Sequence, residues 1–166
     1  GELDVAVLAL PFSEPGIVTR VLYDEPFRVA MPTGHPLCKS RSVSAEALAS
    51  EQLLLLGQGN CFRDQVVQAC PHLTDPGGLE RSLEGSSLET LRHMVASGAG
   101  VSVVPASAVE SWPRDEKLMT IRPFSQPVPK RRVVLAWRVT FPRPQAIDAL
   151  RAAILDAPPV GVAALP

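Results

Sequence analysis

LLLLGQGNCFRDQVVQAC, residues 53 to 70, joins an apolar run to an amphipathic one through a glycine-containing turn. Leu53 to Leu56 is short, unbroken and apolar, which predicts a buried strand. Gly57 and Gly59 break the run and permit a tight turn. Phe62, Val66, Val67 and Cys70 then recur at spacings of three and four, which predicts a short amphipathic helix over Phe62 to Cys70. Cys61 stands where that helix begins and Cys70 where it ends. Backbone N–H groups at a helix N-terminus favour negative charge, and Arg63 adds a cation nearby. Both effects lower a thiol pKa and raise its thiolate fraction, as a reactive cysteine requires.

Toward the N-terminus, Leu3 to Leu10 is continuous and apolar and predicts a buried parallel-type strand. Ile17 to Tyr23 is rich in β-branched residues and predicts a second strand, and Glu25 to Pro32 a third. Ala45 to Ala49 predicts a short helix capped by Ser44, with Glu46 just inside. Toward the C-terminus, Pro71 to Gly78 is loop. Ser86-Ser87-Leu88-Glu89 has the S-x-x-E form of a capping box. The helix it opens turns Leu88, Leu91, Met94 and Val95 to one face and stops at Gly98. Strands follow at Val101 to Val104, Leu118 to Ile121 and Arg132 to Arg138, with one helical turn at Ala106 to Ser111. A closing helix, Gln145 to Leu155, points Ile147, Leu150, Ile154 and Leu155 inward, and the tail from Pro158 is expected to be poorly ordered. Strands alternating with helices imply an α/β fold with largely parallel sheets.

The balance of charge sets limits on function. Net charge is −1 over 166 residues, so bulk electrostatics give no reason to expect nucleic-acid binding by this chain. The 46% hydrophobic and 20% charged residues fit a globular protein, and Gly (11) with Pro (17) stays below the share that signals disorder. No apolar run approaches the ~20 residues of a membrane span, so no membrane partner is expected. Three cysteines without a secretory signal argue against a disulfide framework. Two spaced cysteines in a cytoplasmic protein, the location expected here, more often serve redox or metal chemistry.

The segment GNCFRDQ, followed by a second cysteine nine positions after the first, resembles OxyR, the peroxide-sensing branch of the LysR-type transcriptional regulators. SLETLRHMVASGAGVSVVPA, Ser87 to Ala106, resembles a second signature stretch of the same regulators. GELDVAVLAL at the start and PKRRVVLAWR, Pro129 to Arg138, extend the likeness more loosely. The resemblance implies a two-lobed, periplasmic-binding-protein-like (type 2) effector domain. Lobe one would comprise residues 1–25 and 129–166, incomplete at its N-terminal side, and lobe two residues 26–128. The chain opens at Gly1 directly into a strand, so a fragment is expected, with the helix-turn-helix DNA-binding domain elsewhere.

The same resemblance assigns roles. Cys61 matches the peroxide-reactive cysteine, which hydrogen peroxide oxidises to a sulfenic acid. Cys70 matches the resolving cysteine, which condenses with it to a disulfide. Asn60 replaces the histidine common before the reactive cysteine, and Arg63, Asp64 and Gln65 follow the family pattern. Arg131 or Arg132 matches an arginine that faces the reactive thiol. Ser86, Ser87 and Thr90 match a helix start bordering the inter-lobe cleft. Plain alternatives stand beside these: an inert buried thiol for Cys61, charge balance for Asp64, a solvated Gln65, sheet cations for Arg131 and Arg132, and capping for Ser86. Trp112 and Trp137 are read as packing residues and Cys38 as an incidental thiol. Cys61, Cys70 and His72 form C-x8-C-x-H, which is not a zinc spacing, and no metal or cofactor is expected.

The function implied is a redox switch without catalysis. Its partners would be hydrogen peroxide, a second copy of itself (a homodimer, a tetramer at full length), promoter DNA through the separate domain, and a thiol–disulfide reductant. Two other readings use the same residues. One is a LysR-type domain binding a small organic acid between its lobes, and the other is a thiol peroxidase.

Overall fold

The computed structural model describes residues 3–74, 82–112 and 117–164. The chain divides into two units, Gly1–Pro26 with Lys130–Pro166, and Phe27–Pro129.

In the first unit, β1 (Val5–Ala9) pairs antiparallel with β7 (Lys130–Arg138), Val5 opposite Trp137 and Ala9 opposite Val133. On its other side β7 pairs antiparallel with the first part of β2 (Ile17–Pro32), from Ile17 opposite Arg138 to Pro26 opposite Lys130, with a bulge between Val21 and Tyr23. Leu22, Tyr23, Val133, Leu135 and Ile147 form the core, the last supplied by α4 (Pro144–Asp156). Four expectations change here. The first strand is antiparallel and half-exposed, with Val7 55% exposed. The expected second and third strands are one strand, β2. Leu150 lies at the surface while Ile154 and Leu155 are half-buried. The tail also carries a short strand, β8 (Ala163–Ala164), paired with Tyr23 and Asp24, since the free edge of β2 offers backbone groups to satisfy.

β2 continues into the second unit, where it lies between β6 (Met119–Pro123) and β5 (Val101–Pro105), antiparallel to both. β5 pairs parallel with β3 (Leu53–Leu56), and β3 pairs parallel with β4 (Leu83–Gly85). These parallel strands are connected by helical crossovers, α1 (Cys61–Ala69) from β3 to β4 and α2 (Leu88–Ala96) from β4 past β3 to β5. Pairing is therefore mixed, and mostly antiparallel in strand pairs, contrary to the expectation of largely parallel sheets. Both α1 and α2 pack on β3, which is why all four leucines of β3 are buried. Ser102 of β5, also buried, donates to the Leu54 carbonyl at 2.8 Å.

Smaller elements differ in kind. Ala45 to Ala49 holds only a 3₁₀ turn, Glu46–Leu48, with the Ala47 N–H donating to Ser44 Oγ at 3.2 Å. The expected loop after Cys70 opens with another such turn, Pro71–Thr74, and its remainder from residue 75 lies outside the described residues. α3 (Ala106–Glu110) supplies the expected helical turn, and Trp112 after it is buried in the core. Among the described residues no helix is long and apolar enough to cross a membrane.

Candidate redox site

The site lies in the second unit, where β3 passes into α1. After Leu56 the chain turns, with Gly59 in the left-handed region at φ 82°, a conformation glycine adopts without a Cβ penalty. Asn60 is the N-cap of α1: its backbone is extended and its Oδ1 accepts from the Phe62 N–H at 2.9 Å. This satisfies one of the unpaired N–H groups of the first turn. Asp64 lies in that turn, exposed, where a carboxylate complements the helix dipole.

Cys61 is the first helical residue and is exposed. Phe62, next to it, is buried and meets Phe27 edge-to-face, ring centroids 5.5 Å apart. Val66 is fully buried, whereas Val67, expected inward, is half-buried. Arg63 and Gln65 are both buried. The Arg63 Nη1 donates to the Leu56 carbonyl at 2.9 Å and to Glu84 Oε1 at 2.8 Å. The guanidinium thus braces the helix against β3 and β4.

Cys70 closes the helix and is fully buried, its backbone N–H donating to the Val66 carbonyl at 2.9 Å. Burial pushes its thiol up to about 11, and the negative charge of Glu46 pushes in the same direction. All three cysteines are free thiols. Cys61 and Cys70 stand nine positions apart at the two ends of α1. At ~1.5 Å rise per residue their Cα atoms are roughly 13 Å apart, against the ~7 Å limit of a disulfide. The helix and the bond are therefore alternatives.

The remaining residues fall elsewhere. Ser87, not Ser86, caps α2: its Oγ accepts from the Thr90 N–H at 3.1 Å. Glu89 does not close a box with Ser86; its carboxylate accepts from Arg92 Nε at 2.8 Å. Ser86 and Ser87 each place a hydroxyl about the Thr90 Oγ1, at 3.1 and 3.0 Å. Arg131 and Arg132 belong to β7 in the first unit. Arg131 Nε donates to buried Glu25 at 2.7 Å. Arg132 grips Asp24 with two nitrogens, at 2.8 and 3.1 Å, and Lys130 adds a third contact at 2.6 Å. The hydrogen bonds from Arg132 hold the Asp24 carboxyl well below the usual range, at about 2. Cys38 is half-buried, its thiol directed at the Pro32 carbonyl. His72 pairs with Glu46 at 3.3 Å, and among the described residues no three candidate ligands stand together to hold a metal.

Sequence reasoning missed Glu84 and the capping role of Asn60. The second had a signal: an Asn directly before an amphipathic run is a strong N-cap. Glu84 had none, because its partner is twenty-one residues away.

Comparison with known proteins agrees with this architecture. The family model of the LysR substrate binding domain matches residues 1–159. A probable hydrogen peroxide-inducible genes activator of Streptomyces viridosporus is 36% identical over 158 residues, covering 95% of this chain and 50% of that protein. The chain thus spans about half the length of the curated relatives it matches. The reduced form of the OxyR regulatory domain from Pseudomonas aeruginosa is 51% identical with a TM-score of 0.82, covering 94% of this chain and 74% of that one. A cysteine mutant of Corynebacterium glutamicum OxyR, bound to hydrogen peroxide, is 30% identical with a TM-score of 0.83, covering 93% of this chain and 49% of that one. Its similar structures include OxyR regulatory domains, and the chain belongs to the LysR substrate-binding domain family of transcriptional regulators.

Proposed function

We propose that this chain is the regulatory domain of a peroxide-sensing transcriptional activator, switched by a reversible disulfide between Cys61 and Cys70. The observation that carries the reading is the placing of two free thiols at opposite ends of one short helix, one exposed and one buried. Likeness to proteins named as hydrogen peroxide-inducible activators supports the choice of oxidant.

The Cys61 thiolate attacks one oxygen of hydrogen peroxide. An S–O bond forms, the O–O bond breaks, and the leaving hydroxide takes up a proton as water. The sulfenic acid then meets the Cys70 sulfur, the S–S bond forms, the S–O bond breaks, and a second water leaves. Two thiols and one peroxide give one disulfide and two waters. A thiol–disulfide reductant returns the pair to the dithiol form, so the domain acts as a switch and not as an enzyme. Exposure suits Cys61 to meet the oxidant first, and burial keeps Cys70 protonated until α1 opens. Asn60, Arg63 and Asp64 support the helix start that holds Cys61. The roles that the family resemblance implies for Arg131 or Arg132 and for Ser86, Ser87 and Thr90 belong to the same proposal. So do self-association, a cytoplasmic setting and promoter binding through a separate domain.

A thiol count before and after peroxide, with mass mapping of the bridge, tests the reading. The expected result is loss of two thiols for one peroxide and a Cys61–Cys70 bridge, abolished in Cys61→Ser. Equal sulfenic-acid labelling of wild type and Cys61→Ser would sink the assignment. Sustained peroxide turnover with a reductant would point to a peroxidase instead, and stabilisation by organic acids without any thiol loss to an organic-ligand domain.

A further inference from the structure

Arg63 is the one arginine of α1, two residues from Cys61, and its side chain is only 10% exposed. A cation so placed needs partners, because an unpaired buried charge is costly. The partners given to its Nη1 are the Leu56 carbonyl at the end of β3 and the Glu84 carboxylate on β4. The same carboxylate lies over the turn into α1, where a Cβ built on Gly57 would stand 3.5 Å from Glu84 Oε2. Glu84 therefore contacts the first helical turn through Arg63 and borders the turn before it.

We propose that Glu84 is a positioning residue which, through Arg63, holds the first turn of α1 in its helical dithiol arrangement and so sets how readily the Cys61–Cys70 pair oxidises. The inference rests on the disulfide-switch reading above. Closing the bond requires Cys61 and Cys70 to approach by roughly 6 Å. Arg63 lies between them in the chain, so it leaves its place when α1 unwinds. The ion pair then stabilises the dithiol form and not the disulfide form. Removing the Glu84 charge leaves the guanidinium with a weaker set of acceptors in the dithiol form alone, and oxidation becomes easier.

The test equilibrates the full chain with glutathione buffers. Protein dithiol and glutathione disulfide exchange to protein disulfide and two glutathione thiols, with two electrons leaving Cys61 and Cys70. The disulfide fraction is read by acid trapping and mass, and the Tm of each redox form is measured. Because Glu84 is half-exposed, Glu84→Gln and Glu84→Ala should move the equilibrium about three- to tenfold toward the disulfide. A tenfold change is ~30 mV in a two-electron couple. The Tm of the dithiol form should fall while that of the disulfide form stays unchanged, and Glu84→Asp should lie between wild type and Glu84→Gln. An equal fall in both Tm values with an unmoved equilibrium would overturn the proposal and leave an ordinary structural pair. So would a shift toward the dithiol. A wild-type chain that forms no Cys61–Cys70 bridge in any buffer would overturn the disulfide reading itself, and the role of Glu84 with it. If Glu84→Ala does not fold, Glu84→Gln and Glu84→Asp carry the same comparison.

Discussion

Two thiols of identical chemistry differ here because of where the backbone puts them. Cys61 is exposed at the start of α1, and Cys70 is fully buried at its end with its thiol pushed up to about 11. In the reduced native domain an alkylating reagent should modify Cys61 well before Cys70, read by peptide mass, with Cys70 reacting only on unfolding. The raised Cys70 value also has a consequence for stability. The unfolded thiol ionises near its ordinary value of 9.0, and the folded one near 11. Between those values the folded form binds more protons than the unfolded form, so its stability falls as pH rises from about 9 to about 11 and is complete below 9. Denaturant titration should show a shallower fall in Cys70→Ala, which lacks the group. Asp24 works in the opposite sense. Its carboxyl, at about 2, is held down by Arg132 and then by Lys130. It contributes stability that is present above about 4 and lost as pH falls through about 2. Asp24→Asn should therefore cost on the order of 1–2 kcal/mol at neutral pH, since Lys130 and Arg132 are half-exposed and can turn to water. At pH 2 most of that difference should vanish.

At the scale of one element, α1 is a nine-residue helix whose supports include the Asn60 cap, the Arg63 brace, and the burial of Phe62 and Val66. Helices this short are marginal without tertiary support. Removing one core side chain costs about 1.5–3 kcal/mol, a range a short-loop disulfide can offset. On the proposed switch the dithiol and disulfide arrangements are close in free energy, and small changes at the helix start should tip them. Asn60→Ala should destabilise the reduced domain by about 1 kcal/mol, measured by urea unfolding, and shift the glutathione equilibrium toward the disulfide. The apolar spacing of Phe62, Val66 and Cys70 made α1 legible in the sequence, and the leucine run made β3 legible, because both patterns are local. What the sequence did not display was pairing across distance. β4 is three residues of mixed polarity whose only strand signal is its alignment beside β3. The choice between Ser86 and Ser87 as cap turned on backbone geometry, which the S-x-x-E spacing does not contain.

At the scale of the molecule, alternation of strand and helix was enough for an α/β expectation, and the two signature stretches for the family. The strand pairing was not, because β2 is antiparallel to four other strands, β5, β6, β7 and β8. Asp24 separates the two strands expected at Ile17 to Tyr23 and Glu25 to Pro32. The strand is continuous there because Lys130, Arg131 and Arg132 of β7 neutralise the Asp24 and Glu25 carboxylates. The reach of that pairing, over a hundred residues in sequence, is invisible to a local reading. The proposed regulatory role adds a prediction at this scale: the domain self-associates, and its association changes when the Cys61–Cys70 bond forms. Light scattering on both redox forms at micromolar concentration checks this, and a monomer in both would contradict it. The central claim is that the disulfide forms only when α1 opens. Hydrogen exchange across residues 60 to 70, on reduced and peroxide-treated domain with the bridge confirmed by mass, tests it most directly. The account predicts slow exchange in the reduced form and lost protection in the oxidised form, centred on Phe62 to Val67. Equal protection in both forms, with the bridge present, would contradict it.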